Sequence, residues 1–324
     1  MIPTFPSFKE IEIADKAPIE EYTKQYRPYS DFNFTNLWCW NTKGKHEISL
    51  LNGNLVVIFS DYLTEEPCIS FLGNKALKAT VTELIAFAQK SNISPRLRYI
   101  PEESFEALRR EGFAIEEDEE NFDYIFSVEE LARLEGPILK TKRQSSHKFE
   151  RENPAARFSV EDIKDYAIQV QLISVFETWR ENRISDTRYD MALESKAFHR
   201  LLDTVEDHDL LLSCIYLENV MIGFSIDEIL PQGYAISHFL KADVSFKGIY
   251  EFFNEKVAGY LLTKGVTLWN WEQDLNIEGL RRLKKSYHPI SYLKKYRVGT
   301  KRMSLDWKSV WPFNLLTVSK LSKS

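Results

Sequence analysis

The side chains best suited to moving a group between two substrates lie close together, in Asn270-Trp271-Glu272-Gln273-Asp274 and in the stretch from Gly279 to Tyr287. Glu272 and Asp274 follow a strand end, where inward side chains meet a cleft, so either can accept a proton from an attacking amine or hydroxyl. Asp274 has a second reading, in which it or Asn276 caps the helix beginning near Ile277. Arg281 and Lys284 are one turn apart and either clamp a phosphate or carboxylate or form a solvated face. Tyr287 is either a general acid or a buried phenol with a satisfied hydroxyl. His238 either faces the same cleft or is a hydrogen-bonded structural residue. The six histidines show no metal-ligand spacing with cysteine or acid, so no metal is expected. The absence of a Gly-x-Ser-x-Gly elbow and of a phosphate-cradling Gly-x-x-x-x-Gly-Lys loop argues against hydrolases and nucleotide triphosphatases.

The elements that must hold these residues are readable. Residues 210–217 and 220–230 are strand-like around the turn Glu218-Asn219, and Pro231-Gln232-Gly233 leads into a third strand at 234–240 that carries His238. Residues 248–262 have apolar positions at three- and four-residue spacing, a helix. Strand 266–271, helix 277–285 and an extended segment 290–298 complete the order. The first half repeats it: strands 46–51, 55–60 and 68–72, helix 76–90, strand 96–100, helix 102–110, and segments 113–116 and 123–126 as an extended pair. The matching turns and matching strands recur at a nearly constant offset, which argues for one unit written twice. The expected organisation is an α+β chain with an N-terminal unit at 1–136, a linker helix at 137–155, and a C-terminal unit at 156–324 opened by helices 163–179 and 191–205. The acidic run 116–120 reads as a solvated turn.

Helices followed by three strands, a helix, a strand, a helix and a last strand resemble the GNAT-like acyltransferase fold. The resemblance implies a strand that offers backbone groups to an acyl donor and a tyrosine near the end of the second helix that returns a proton to the leaving group, the place of Tyr287. The first unit has Phe113 and no tyrosine at the matching stretch, so the second is the expected catalytic one. The stretch from Tyr29 to Trp40, with the motifs around Trp271-Glu272-Gln273-Asp274 and Tyr287, is similar to soluble tandem-GNAT proteins grouped with the C-terminal domain of phosphatidylglycerol lysyltransferase. That resemblance implies aminoacyl transfer from an aminoacyl-tRNA to a lipid headgroup or other amine or hydroxyl acceptor, and the residues expected on the substrate side are Trp271, His238, Arg281, Lys284, Lys247 and Gly248, from their types and positions. The loop that in coenzyme A users holds a pyrophosphate is here Val244-Ser245-Phe246-Lys247-Gly248-Ile249-Tyr250, which keeps Gly248 and adds bulk after it. Aminoacyl-tRNA is thus the expected co-substrate, coenzyme A belongs to an alternative N-acyltransferase reading, and a catalytically silent GNAT-fold binding module is a third.

The chain has 324 residues, 44% hydrophobic and 28% charged, which excludes disorder and low-complexity architectures. No apolar stretch approaches the roughly 20 residues of a membrane span, and the N-terminus lacks a secretory pattern. With Cys39, Cys68 and Cys214 far apart, a cytoplasmic globular protein with reduced thiols is expected. Net charge is −6, but residues 279–324 hold 12 Lys and Arg against Asp306 alone, leaving 30 basic against 47 acidic residues elsewhere. The basic end, with Lys294-Lys295-Tyr296-Arg297, Lys301-Arg302 and Trp307-Lys308, suits a tRNA acceptor end or an anionic lipid surface, or else is a final strand with inward aromatics.

Overall fold

The computed structural model describes residues 1–62, 64–182 and 191–301. The N-terminal elements are β1 (Lys9–Glu10), α1 (Lys16–Thr23), α2 (Phe34–Cys39), β2 (Glu47–Leu51), β3 (Asn54–Ser60), β4 (Pro67–Leu72), α3 (Leu77–Lys90), β5 (Leu97–Pro101), α4 (Glu102–Arg110), β6 (Ala114–Glu117) and β7 (Asp123–Ser127). Then come α5 (Val128–Arg133), α6 (Lys140–Glu152), β8 (Ala156–Glu161), α7 (Tyr166–Glu181) and α8 (Met191–Leu202). The chain continues with β9 (Leu210–Leu217), β10 (Val220–Leu230), β11 (Tyr234–Ala242), α9 (Ile249–Thr263), β12 (Leu268–Asn270), α10 (Glu278–Lys285), β13 (Ser291–Leu293) and β14 (Lys295–Gly299).

The hairpins form where the turn chemistry places them: Asn52 and Glu218 both take left-handed φ, +54° and +57°, and β2/β3 and β9/β10 pair antiparallel around them. The result is a mixed α+β molecule with helices flanking its sheets. A seven-stranded sheet runs β13-β7-β12-β11-β10-β9-β8, beside a four-stranded sheet β1-β2-β3-β4 and a three-stranded sheet β5-β14-β6. Helices α7 and α8 pack on one face of the large sheet through Phe176, Phe198, Phe224 and Phe239, and α5, α6 and α9 on the other through Phe149, Phe252 and Phe253.

Two expectations are corrected here. Residues 113–116 and 123–126 do not pair with each other: β6 joins β14, while β7 enters the large sheet between β12 and β13. The single extended segment expected at 290–298 is two strands, β13 on β7 and β14 between β5 and β6. The last strand of each half is thus donated to the sheet of the other, and a boundary at 136 or 156 is crossed in both directions. The physical reason is that a strand edge is satisfied by any partner of suitable register, and local sequence does not name which one.

The acidic run is also not a solvated turn. Glu116 and Glu117 belong to β6, and Asp118 is fully buried, with Arg297 Nη2 2.6 Å from its Oδ1. Arg297 reaches Glu120 as well, and Lys294 pairs with Glu117 at 3.1 Å. The basic run at 294–297 is therefore neutralised by the chain's own acids, and Tyr296 stacks on Phe105 at 4.1 Å. Arg302, Trp307 and Lys308 lie outside the described residues.

Candidate active site

Strands β11 and β12 run parallel and are hydrogen-bonded only from Tyr234 to Ile236 against Leu268 to Asn270. Beyond that point β11 continues to Ala242 on β10 alone, while the other chain curls away. The opening is a cavity of about 650 Å³ lined by Ser237, His238 and Lys241 from β11, Trp271 to Gln273 after β12, Asn254 and Tyr250 from α9, and Lys284 from α10. Trp40, Tyr62 and Trp179 add aromatic wall.

The curl after β12 is held in an uncommon backbone geometry. Glu272, Leu275 and Asn276 all take φ between +52° and +57°, a region that non-glycine residues enter only when their surroundings over-determine it. Three devices do so here. Lys284 Nζ, fully buried, donates to the carbonyl oxygens of Trp271, Glu272 (3.2 Å) and Gln273 (2.7 Å). Tyr124 N–H donates to the Glu272 carbonyl at 3.1 Å. Asp274 accepts the Asn276 N–H at 2.8 Å, the Tyr124 hydroxyl at 2.6 Å, and Arg281 through Nε (2.8 Å) and Nη2 (2.9 Å).

This geometry sorts the residues expected from sequence. Glu272 reaches the cavity with its carboxylate partly exposed, accepting Asn36 Nδ2 at 2.7 Å. Asp274 is 1% exposed and fully engaged, so it organises the loop and is not a base. Arg281 is held by Asp274 and does not line the cavity. Lys284 lines it, but its three protons serve three carbonyls; burial pushes its pKa down to about 8 against the nearby carboxylates Glu272, Asp123 and Asp274. Tyr287 is buried, with its ring 5.1 Å from that of Trp271 and its hydroxyl accepting Asn254 Nδ2 at 3.2 Å, one residue away from the cavity. Lys247 is exposed and outside the cavity. Gly248, at φ +87°, packs on α6 so closely that a Cβ would overlap the Ser145 carbonyl oxygen; its conformational freedom serves helix packing.

His238 is in the cluster but not exposed to it. Its side chain is fully buried, with Nε2 3.1 Å from Glu228 Oε2, Nδ1 3.1 Å from Asn36 Oδ1 and 3.5 Å from Glu272 Oε1. Both ring nitrogens face acceptors, so both donate and the ring is an imidazolium. Burial pulls its pKa down, but the hydrogen bonds and charges of Glu228 and Glu272 outweigh it and raise the value to about 9. A folded-state pKa above the ordinary 6.5 contributes stability that is whole below about pH 6.5 and lost as pH rises through about 9. Denaturant titrations should therefore show the native chain losing up to about 3 kcal/mol more than His238→Gln between pH 6 and pH 10; equal losses would refute the assignment.

Sequence reasoning missed Asn36, Glu228, Trp40, Tyr62, Trp179, Lys241, Glu194 and Asn254 as members of this site. The segment from Tyr29 to Trp40 was a signal: Ser30, Asp31, Asn33 and Asn36 are small polar residues among aromatics, and all but Asn33 are buried. Asn33 Nδ2 holds Glu228 at 3.0 Å, and Asn36 holds both His238 and Glu272. Lys241 pairs with Glu194 at 2.7 Å and lies over the Trp179 ring at 4.1 Å. Among the described residues no group of His, Cys, Asp and Glu is placed to hold a metal ion, and no helix is long and apolar enough to cross a membrane.

Among solved structures, a conserved protein of unknown function from Bacteroides thetaiotaomicron is 26% identical, with TM-score 0.79 over 93% of this chain and 100% of that one. The C-terminal domain (DUF2156) of a putative lysylphosphatidylglycerol synthetase from Agrobacterium fabrum shares the fold at 13% identity, TM-score 0.63, over 90% of this chain and 94% of that one. L-PGS from Bacillus licheniformis does so at 15% identity and TM-score 0.63, over 92% and 95%. None of the curated proteins matches the chain. The family model described as phosphatidylglycerol lysyltransferase, C-terminal, matches residues 23–299, through every element that builds the cavity, and the chain belongs to that family.

Proposed function

We propose that the chain is an acyltransferase that moves an aminoacyl group from the ester end of an aminoacyl-tRNA to an amine or hydroxyl acceptor, a lipid headgroup among them. It is built as two GNAT-like units in tandem, and the later unit carries the chemistry. The family supports acyl transfer, and the repeated order of strands and helices supports the tandem reading. The observation that carries the proposal is Glu272: a carboxylate presented to a cavity at the opening of two parallel strands, aimed by Asn36 and backed by a buried imidazolium.

In this reading the acceptor loses its proton to Glu272 as its lone pair attacks the acyl carbonyl. Backbone N–H groups of β11 beyond Ile236, unpaired on the cavity side, face the developing oxyanion. The ester C–O bond then breaks and the departing ribose hydroxyl takes the proton back. The loop before α9 keeps only Gly248 of the glycine-rich pattern that cradles a pyrophosphate, and Ile249 and Tyr250 follow it, which favours aminoacyl-tRNA over coenzyme A as donor.

Purified protein incubated with labelled aminoacyl-tRNAs and either phosphatidylglycerol vesicles or peptide amines tests this. Transfer of label to one acceptor class is expected. Absence of transfer together with absence of tRNA binding at low salt overturns it, as does a rise in melting temperature with coenzyme A accompanied by acyl transfer from acyl-CoA.

A further inference from the structure

The cavity wall contains three buried side-chain atoms with no hydrogen-bond partner among the described residues: Trp271 Nε1, Asn254 Oδ1 and Glu194 Oε2. Folded proteins leave few such atoms, because each has given up water and gained nothing in return. In the wall of a cavity, a ligand is what completes them.

Two of the three belong together. Asn254, 4% exposed on α9, donates its Nδ2 to the Tyr287 hydroxyl at 3.2 Å, which fixes the amide and turns Oδ1 away from that ring. Trp271 meets the same ring edge-on, with centroids 5.1 Å apart and planes at 71°. An acceptor and a donor are thus held around one buried tyrosine, each oriented by it.

We propose that Asn254 and Trp271 form a fork that reads the α-amino acyl unit of the donor, Asn254 Oδ1 taking an N–H of the α-ammonium and Trp271 Nε1 giving its proton to the acyl oxygen. The inference rests on the aminoacyl reading above and deepens it by naming the atoms that separate an aminoacyl group from a plain acyl one. An acetyl or fatty acyl group has no N–H to give and leaves Asn254 Oδ1 unpaired, and sites built to hydrogen-bond a substrate reject analogues that lack the bond more strongly than apolar pockets do. Tyr287 is then a positioning residue that acts through Asn254.

The test is calorimetric titration of the full chain with alaninamide, lysinamide and phenylalaninamide, each beside the counterpart that lacks the α-amino group (propanamide, 6-aminohexanamide and 3-phenylpropanamide). At least one amide should bind about tenfold or more tighter than its desamino counterpart. Asn254→Leu should bring the two within about twofold, Asn254→Asp should keep the preference, and Trp271→Phe should weaken both forms alike. An undiminished preference in Asn254→Leu, equal binding of both forms to the native chain, or binding of no amide overturns the fork. Thermal melts accompany each variant, and if Asn254→Leu fails to fold, the Trp271→Phe result decides, a loss confined to the α-amino form counting against the proposal. The two readings fail separately: transfer by the native chain with the preference intact in Asn254→Leu removes only the fork, whereas a preference as expected without transfer from any aminoacyl-tRNA removes only the transfer reading.

Discussion

Glu272→Gln should lower kcat for the proposed aminoacyl transfer by roughly 100- to 10,000-fold, the usual range for loss of a general base. Glutamine keeps the shape and can still accept the Asn36 N–H through its carbonyl oxygen, so the curl after β12 and the donor KM should change little. Steady-state kinetics with a fixed acceptor, beside a melting curve, separate this from unfolding. A kcat within about threefold of native would remove Glu272 as the base. Asp274→Asn is the informative contrast, because Asp274 holds Arg281, Tyr124 and Asn276 and makes no contact with the cavity. Its loss should appear first as lowered stability.

The largest effect on stability is expected at Lys295. Its ammonium is fully buried between Asp31 and Asp123, 2.7 Å from Asp123 Oδ1 and 3.2 Å from Ser30 Oγ. Removing one partner of a buried ion cluster leaves an uncompensated charge and costs about 3–5 kcal/mol, so Lys295→Met should lower the denaturation midpoint sharply. Burial raises the pKa of Asp31, to about 6, against the pull of Lys295 and with the push of Asp123. Without the lysine the Asp31 carboxyl rises further, so the variant's deficit should be greatest above neutral pH and shrink as the pH falls and Asp31 takes up its proton. A deficit that does not vary between pH 5 and pH 8 would argue against this account.

What the sequence made legible follows from how local each signal is. The hairpins at Asn52 and Glu218 and the amphipathic α9 depend on residues within a few positions of one another, and their bounds are close to those expected. Glu272 was legible as a carboxylate at a strand end for the same reason. The burial of Lys295 was not, because its partners Asp31 and Asp123 are far away in the chain, and a run of cations reads as a solvated surface until those partners are known. His238 shows both sides: its place on the third strand was readable, but its charge is set by Glu228 and Asn36, which only the folded chain brings to its two nitrogens. The membership of Trp40, Trp179 and Asn254 needs three separate elements to converge, and no single stretch encodes that.

The donation of β7 to the later sheet and β14 to the earlier one has a consequence for how the protein can be taken apart. Neither half closes its own hydrogen-bond ladder, so a fragment ending near 136 would leave β5 and β6 facing an empty lane and would carry β7 as a loose, sticky edge. Unfolding should be a single cooperative event, with the heat- or denaturant-induced loss of both sheets tracking one transition.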